Sequence, residues 1–211
     1  MISTSSKTRS KLLLAVALGV SLVVGAAHPV PAADGPSAVV ERTTSGVIAI
    51  LTDTKLSTDE KRKRVEDVVL ASVDFETLSK LVIARNWSKF TDAQRAEFMT
   101  LFKNHLSMTY GRNVESYKNE KVTITGSREE SGGDTTVKTK ILRGGPGDIL
   151  VDYRMRQTAG TWKIIDVIIE GVSLVSNFRS QFQDVVAGGG PERLLTLLRE
   201  KNAKGEPLKT S

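Results

Sequence analysis

Apolar positions change their spacing three times along this chain. From Pro36 to Thr54, Val39, Val40, Thr43, Val47, Ile50 and Leu51 recur on one side of a helix. Ser57 followed by Glu60 makes a capping box, which starts a second helix running to Ala71. Asp74-Phe75-Glu76-Thr77-Leu78 opens a third helix carrying Leu81 and Val82, with Trp87 near its end. Thr91 with Gln94 is another capping box, and Phe98, Leu101, Phe102, His105, Leu106 and Tyr110 keep helical spacing behind it to about Glu115.

After Tyr117 the period falls to two. Lys121 to Ser127 places Val122 and Ile124 on one face, and Thr135 to Ile141 places Val137 and Ile141 against Lys138 and Lys140. Asp148 to Arg156 sets Ile149, Val151, Tyr153 and Met155 against Leu150, Asp152, Arg154 and Arg156. Gly132-Gly133, Gly144-Gly145-Pro146-Gly147 and Gly160 mark the turns. Trp162 to Glu170 is apolar on both faces, which predicts a strand buried on both sides. At Gly171 helical spacing returns with Leu174, Val175, Phe178 and Phe182. Gly188-Gly189-Gly190 breaks the chain, and Pro191 opens a last helix with Leu194, Leu195, Leu197 and Leu198. The predicted order is four helices, four strands and two helices. This is an α+β fold, a four-stranded antiparallel sheet covered by about six helices.

Met1 to Ala33 has the form of a secretory signal. Lys7, Arg9 and Lys11 are its basic start, Leu12 to Ala27 carries no charge, and Pro29 to Ala33 is a small-residue exit. Cleavage is expected after Ala32 or Ala33, with Ala27 as the other choice. The apolar run is shorter than the ~20 residues of a membrane span, and an uncleaved anchor is the alternative. Residues 34–203 are expected to form one domain, with 204–211 a frayed polar tail. Loss of the three cations takes the formal charge from +6 to +3, too little to argue for nucleic acid. The absence of cysteine excludes disulfides, thiol catalysis and cysteine-based metal sites.

Candidate chemistry is sparse. The two histidines are His28, inside the signal, and His105, so a histidine-rich metal site is excluded. His105 reads as a partly buried helix residue. Asp166 is the residue an enzyme would use: it is expected to share a face with Trp162, Ile164 and Ile168, where an apolar cavity would raise its pKa. The ordinary alternative is a paired or hydrogen-bonded carboxylate. Glu170 is expected to cap the helix after it. Lys61, Arg62, Lys63 and Arg64 oppose the dipole of the second helix; a solvated face explains them, and a contact with anionic head groups or an acidic partner is the functional reading.

The supply of inward apolar residues is large: Phe75, Leu78, Phe98, Phe102, Tyr110, Val151, Tyr153, Val167, Ile169, Val172, Val175, Phe178 and Phe182. If helices only half close over the sheet, these residues line an apolar pocket. At ~0.8 kcal/mol per buried methylene, one long acyl chain contributes on the order of 10 kcal/mol there.

Three runs within Trp162–Phe182 resemble one family. They are Trp162-Lys163-Ile164-Ile165-Asp166-Val167, Glu170-Gly171-Val172-Ser173-Leu174-Val175 and Asn177-Phe178-Arg179-Ser180-Gln181-Phe182. Together they look like the signature of the MlaC, or toluene-tolerance Ttg2-type, family of periplasmic phospholipid-binding proteins. Asp74-Phe75, Arg85-Asn86-Trp87, Thr91 to Phe98, Tyr110 and Tyr153-Arg154 also fit, so the resemblance runs from about residue 36 to 200. It departs at Phe178, where members often have tyrosine. The resemblance implies a fold like nuclear transport factor two with an apolar pocket, and no enzymatic activity or cofactor. It implies a monomeric carrier that shuttles phospholipid between an outer-membrane lipoprotein–porin complex and an inner-membrane ABC transporter with MCE-domain subunits. Hopanoid carriers of the same family are the alternative, and an enzyme using Asp166 is the reading of a different class.

Overall fold

The computed structural model describes residues 34–111, 117–143 and 147–208. The expected signal, the fourth helix beyond Gly111, part of the glycine-rich turn before Asp148 and the end of the polar tail lie outside the described residues. Helix α1 (Pro36–Thr52) begins with proline, whose missing N–H has no partner at that position anyway. Helix α2 (Thr58–Ser72) begins on the expected capping box: Ser57 Oγ accepts from Glu60 N, and Glu60 Oε2 accepts from Ser57 N at 2.8 Å. Its first turn is not purely basic, because Asp59 and Glu60 stand at the N-terminal end and Asp59 pairs with Arg62 at 3.0 Å. Lys61 Nζ donates to Leu51 O at 2.7 Å, tying α2 back to α1.

Helix α3 (Phe75–Ile83) is capped by Asp74, which accepts from Thr77 N and Thr77 Oγ1 at 2.9 and 2.7 Å. A 3-10 turn over Ala84–Lys89 follows and carries Trp87. Helix α4 (Asp92–Gly111) starts on the reciprocal Thr91–Gln94 bonds. The sheet has strands β1 (Lys121–Glu129), β2 (Thr135–Leu142), β3 (Ile149–Thr158), β4 (Thr161–Ile169) and β5 (Val172–Ser173). They are antiparallel in the order β1-β2-β3-β4-β5, each strand beside its sequence neighbours.

Two expectations are corrected. The sheet has five strands, because the chain turns at Glu170–Gly171 and pairs two more residues before the helix. Glu170 takes φ +49° and Gly171 φ +80°, the left-handed conformations that a tight two-residue turn requires. The two final helices are one kinked helix, α5 (Leu174–Lys204), so the described residues hold five α-helices and not six. The break is still there: Gly189 and Gly190 leave helical geometry before Pro191. A side chain at Gly189 would approach Arg193 Cβ to 2.8 Å.

The core is two clusters. Leu78, Val82 and Ile83 of α3, Phe90, Phe98 and Phe102, and Val175, Phe178, Phe182, Val186, Leu194, Leu195 and Leu198 of α5 form the helical cluster. Val39 and Val40 of α1 pack with Val137, Met155 and Ile164 to form the sheet cluster. Val73, between α2 and α3, packs against both. It is held there by the bond from Asp74 N to Ile164 O, 2.9 Å long.

Candidate functional site

All six phenylalanines of the chain meet in one network. Phe98 stacks on Phe102 at 5.4 Å, and Phe178 and Phe182 meet Phe102 edge-on at 5.1 and 5.4 Å. Phe75 reaches Phe102 at 5.9 Å and Phe90 reaches Phe98 at 6.0 Å. Such contacts lock ring orientation beyond what area burial gives. The expected pocket residues Leu78, Phe98, Phe102, Val175, Phe178 and Phe182 are buried members of the helical cluster, with Phe75 partly exposed at its margin. Phe90 belongs to the same cluster. Its position next to Thr91, outside any periodic run, gives it no signal in the sequence.

A second group of expected residues lies on one face of the sheet. Val151, Tyr153, Val167 and Ile169 are joined by the register, Val151 opposite Ile169 and Tyr153 opposite Val167. Val151 is buried, while Tyr153, Val167 and Ile169 remain partly accessible. Burial pushes the Tyr153 phenol above its ordinary value of 10.0, with Thr139 acting the other way. Tyr110, near the C-terminal end of α4, combines partial accessibility with a raised phenol in the same way. Val172 stands apart, 59% exposed on β5.

Asp166 does not share a face with Trp162 and Ile164. The ladder opposes Ile164 to Met155 and Asp166 to Arg154, leaving Ile165 as an extra residue in β4. This bulge turns Asp166 away from Trp162 and Ile164. Its carboxylate accepts from Ser173 Oγ and from Val175 N at 3.0 Å, so it fastens the start of α5. Ser173 itself accepts from Ser176 N. Glu170 is not the cap either: its carboxylate accepts from Leu150 N, and its own N–H donates to Leu150 O at 2.9 Å.

His105 is fully buried beside Phe178, ring centres 6.2 Å apart. Leu208 N donates to its Nε2 at 3.2 Å. Its Nδ1 lies 3.0 Å from Asn202 Oδ1, and Asn202 Nδ2 donates to Leu101 O, which orients the amide. The ring is therefore neutral, with the proton on Nδ1. Both nitrogens are committed to structure. On the outer face of the sheet, buried Asp134 accepts from Arg156 at 2.7 and 2.9 Å and from Arg154 at 3.0 Å. The Arg156 guanidinium holds its carboxyl below the usual range, against the opposing effect of burial.

The sequence profile described as MlaC protein matches residues 41–200. The chain belongs to the MlaC family. It is 28% identical over 176 residues to the toluene tolerance protein ttg2D of Pseudomonas putida, covering 80% of this chain and 82% of that one. It is 23% identical over 144 residues to the intermembrane phospholipid transport system binding protein MlaC of Haemophilus influenzae, with 66% and 67% of the two chains covered. Among solved structures, the phospholipid-binding protein of Ralstonia solanacearum, determined in complex with a phospholipid, superposes with a TM-score of 0.74 at 26% identity. The match covers 82% of this chain and 99% of that one. In this MlaC-family chain the motif residues make the joints of the helical wall. Arg179 Nε donates to Leu81 O at 2.9 Å, joining α5 to α3. Arg95 donates to Trp87 O and lies over the Trp87 ring at 5.4 Å, fixing the 3-10 turn to α4.

Proposed function

We propose that this protein is a periplasmic phospholipid carrier whose acyl-chain site lies between the phenylalanine wall and the inner face of the sheet. The observation that carries the proposal is the division of the core. Two separate clusters share Val73 at their margins, while Tyr153 and Val167 pack against the sheet cluster and, with Ile169, stay partly accessible on its face. Family membership and the likeness to a protein determined with a bound phospholipid support it. A diacyl lipid would leave water for an apolar space at ~0.8 kcal/mol per methylene. The polar head would remain outside, because burying it without partners is unfavourable. Release then requires a state of lower affinity on docking. The partners in this reading are an outer-membrane lipoprotein–porin complex and an inner-membrane ABC transporter with MCE-domain subunits. Residues 1–33 direct export and are removed near Ala32 or Ala33.

The test is lipid content. Protein isolated after export, extracted with organic solvent and analysed by mass spectrometry, is expected to yield stoichiometric diacyl lipid. Val175→Trp and Phe178→Asp should lower the yield while the chain stays folded by circular dichroism. Lipid-free protein that also fails to take lipid from vesicles would sink the proposal. Unchanged loading in both variants would show that the lipid does not lie against this wall.

A further inference from the structure

Tyr153 brings a hydroxyl into an aliphatic part of the sheet's inner face. Across the ladder it stands between Val137 on β2 and Val167 on β4, and along β3 it lies between Val151 and Met155 on the same face. Val137 and Met155 are fully buried, whereas Tyr153, Val167 and Ile169 remain partly accessible. The phenol therefore stands where the sealed sheet cluster gives way to the accessible strip beside it.

Its proton is not claimed by a stronger partner. Thr139, diagonal to Tyr153 across β2 and β3, is the polar side chain that acts on the phenol. Thr139 Oγ1 donates its own proton to Val151 O at 2.6 Å, and Thr139 is 1% exposed. It has no proton to give and lies out of a ligand's reach. Tyr153 is thus the donor of the pair, and its hydrogen turns about the C–O bond. The proton can go to the Thr139 oxygen or to an acceptor that a ligand brings. Tyr117 differs, because its hydroxyl already donates to Glu120 O at 3.4 Å.

We propose that Tyr153 donates a hydrogen bond to an ester carbonyl of the bound lipid, so that the site selects ester-linked chains over ether-linked ones. The inference rests on the carrier reading. The chemistry of a diacyl lipid selects the acceptor. Its hydrocarbon chains have none. Its phosphate is charged, and the neighbours of Tyr153 on this face are aliphatic, with no cation to offset the loss of water. The ester carbonyl is neutral, is attached to the chain itself, and loses its water when the chain is buried. A donor already held in the apolar face offsets that loss. A plain hydrocarbon site would gain nothing from the hydroxyl, and phenylalanine would serve as well.

The test is a competition between two lipids that differ only in the carbonyls. The exported, processed protein is incubated with excess vesicles of dioleoyl phosphatidylglycerol and its dioleyl ether analogue in equal amounts. It is then re-isolated, and the bound lipids are counted by mass spectrometry. The wild type should hold the diester in about three- to tenfold excess, the range of one neutral hydrogen bond. Tyr153→Phe should load as much lipid in total with the two species about equal. Tyr117→Phe, the same chemical change elsewhere, should keep the wild-type ratio. Thr139→Val removes the competing acceptor and should keep or raise it. The proposal is overturned if the wild type loads the two lipids equally, if Tyr153→Phe retains the preference, or if Thr139→Val or Tyr117→Phe loses it. A Tyr153→Phe protein with a lower urea midpoint and an intact ester preference would make the phenol a structural partner of Thr139, and also overturns it. Lipid loaded without discrimination refutes the role of Tyr153 alone. A wild type that takes up neither lipid refutes the carrier reading, and this inference falls with it.

Discussion

The buried His105 makes the stability of this fold depend on pH in a window of its own. Burial lowers its pKa from the ordinary 6.5; the bond to Asn202 opposes this and the charge of Lys201 adds to it. Below 6.5 the unfolded chain takes up a proton that the folded chain refuses, so stability falls as pH falls. The slope reaches at most about 1.4 kcal/mol per pH unit and persists until the folded imidazole is protonated. At that point Nε2 carries a hydrogen facing the Leu208 N–H, and the C-terminal segment loses its acceptor. The carboxylates held low lose their contribution only at more acid pH: Asp74 and Asp134 as pH falls through the ordinary 3.8, and Glu60, Glu120, Glu130, Glu192 and Glu206 as it falls through 4.5. The interval from 6.5 down to about 5.5 therefore isolates the histidine. Urea unfolding across that interval should show a falling midpoint for the wild type. His105→Gln keeps a donor and an acceptor but does not titrate, and should give a flat profile. Equal pH dependence in the two proteins would refute the reasoning.

Two other predictions concern the walls. Asp166→Ala removes the acceptor for the buried Val175 N–H and for Ser173, and should cost about 1–3 kcal/mol in chemical denaturation. Lipid content should persist in the folded fraction; loss of lipid at unchanged stability would overturn the cap assignment. Phe102→Ala deletes the ring that four other phenylalanines contact and should cost about 3–5 kcal/mol by the same measurement.

Much of the fold was legible because local signals and tertiary packing agree. The Ser57–Glu60 and Thr91–Gln94 boxes form as written, and the four main strands fall within a residue or two of the three alternating runs and the doubly apolar run that marked them. Periodicity also picked out the phenylalanine wall from the spacing of Phe98, Phe102, Phe178 and Phe182. Asp166 was misplaced because strict alternation cannot see a bulge. Ile165 is as apolar as its neighbours, and only the partner strand reveals that it is surplus. β5 was missed because two residues are too few to carry a period.

The kink at Gly189–Gly190 gives each half of α5 a separate hold on the molecule. The first half grips α3 through Arg179 and the phenylalanine network through Phe178 and Phe182. The second carries Leu194, Leu195 and Leu198 into the same cluster and binds α4 through Asn202. Segments anchored independently can be cut apart without separating. The joint is therefore a natural division point of the polypeptide: a chain ending at Gly188 should be completed, without a covalent link, by a peptide of residues 191–208. Recovery of the cooperative unfolding transition on adding the peptide would measure it.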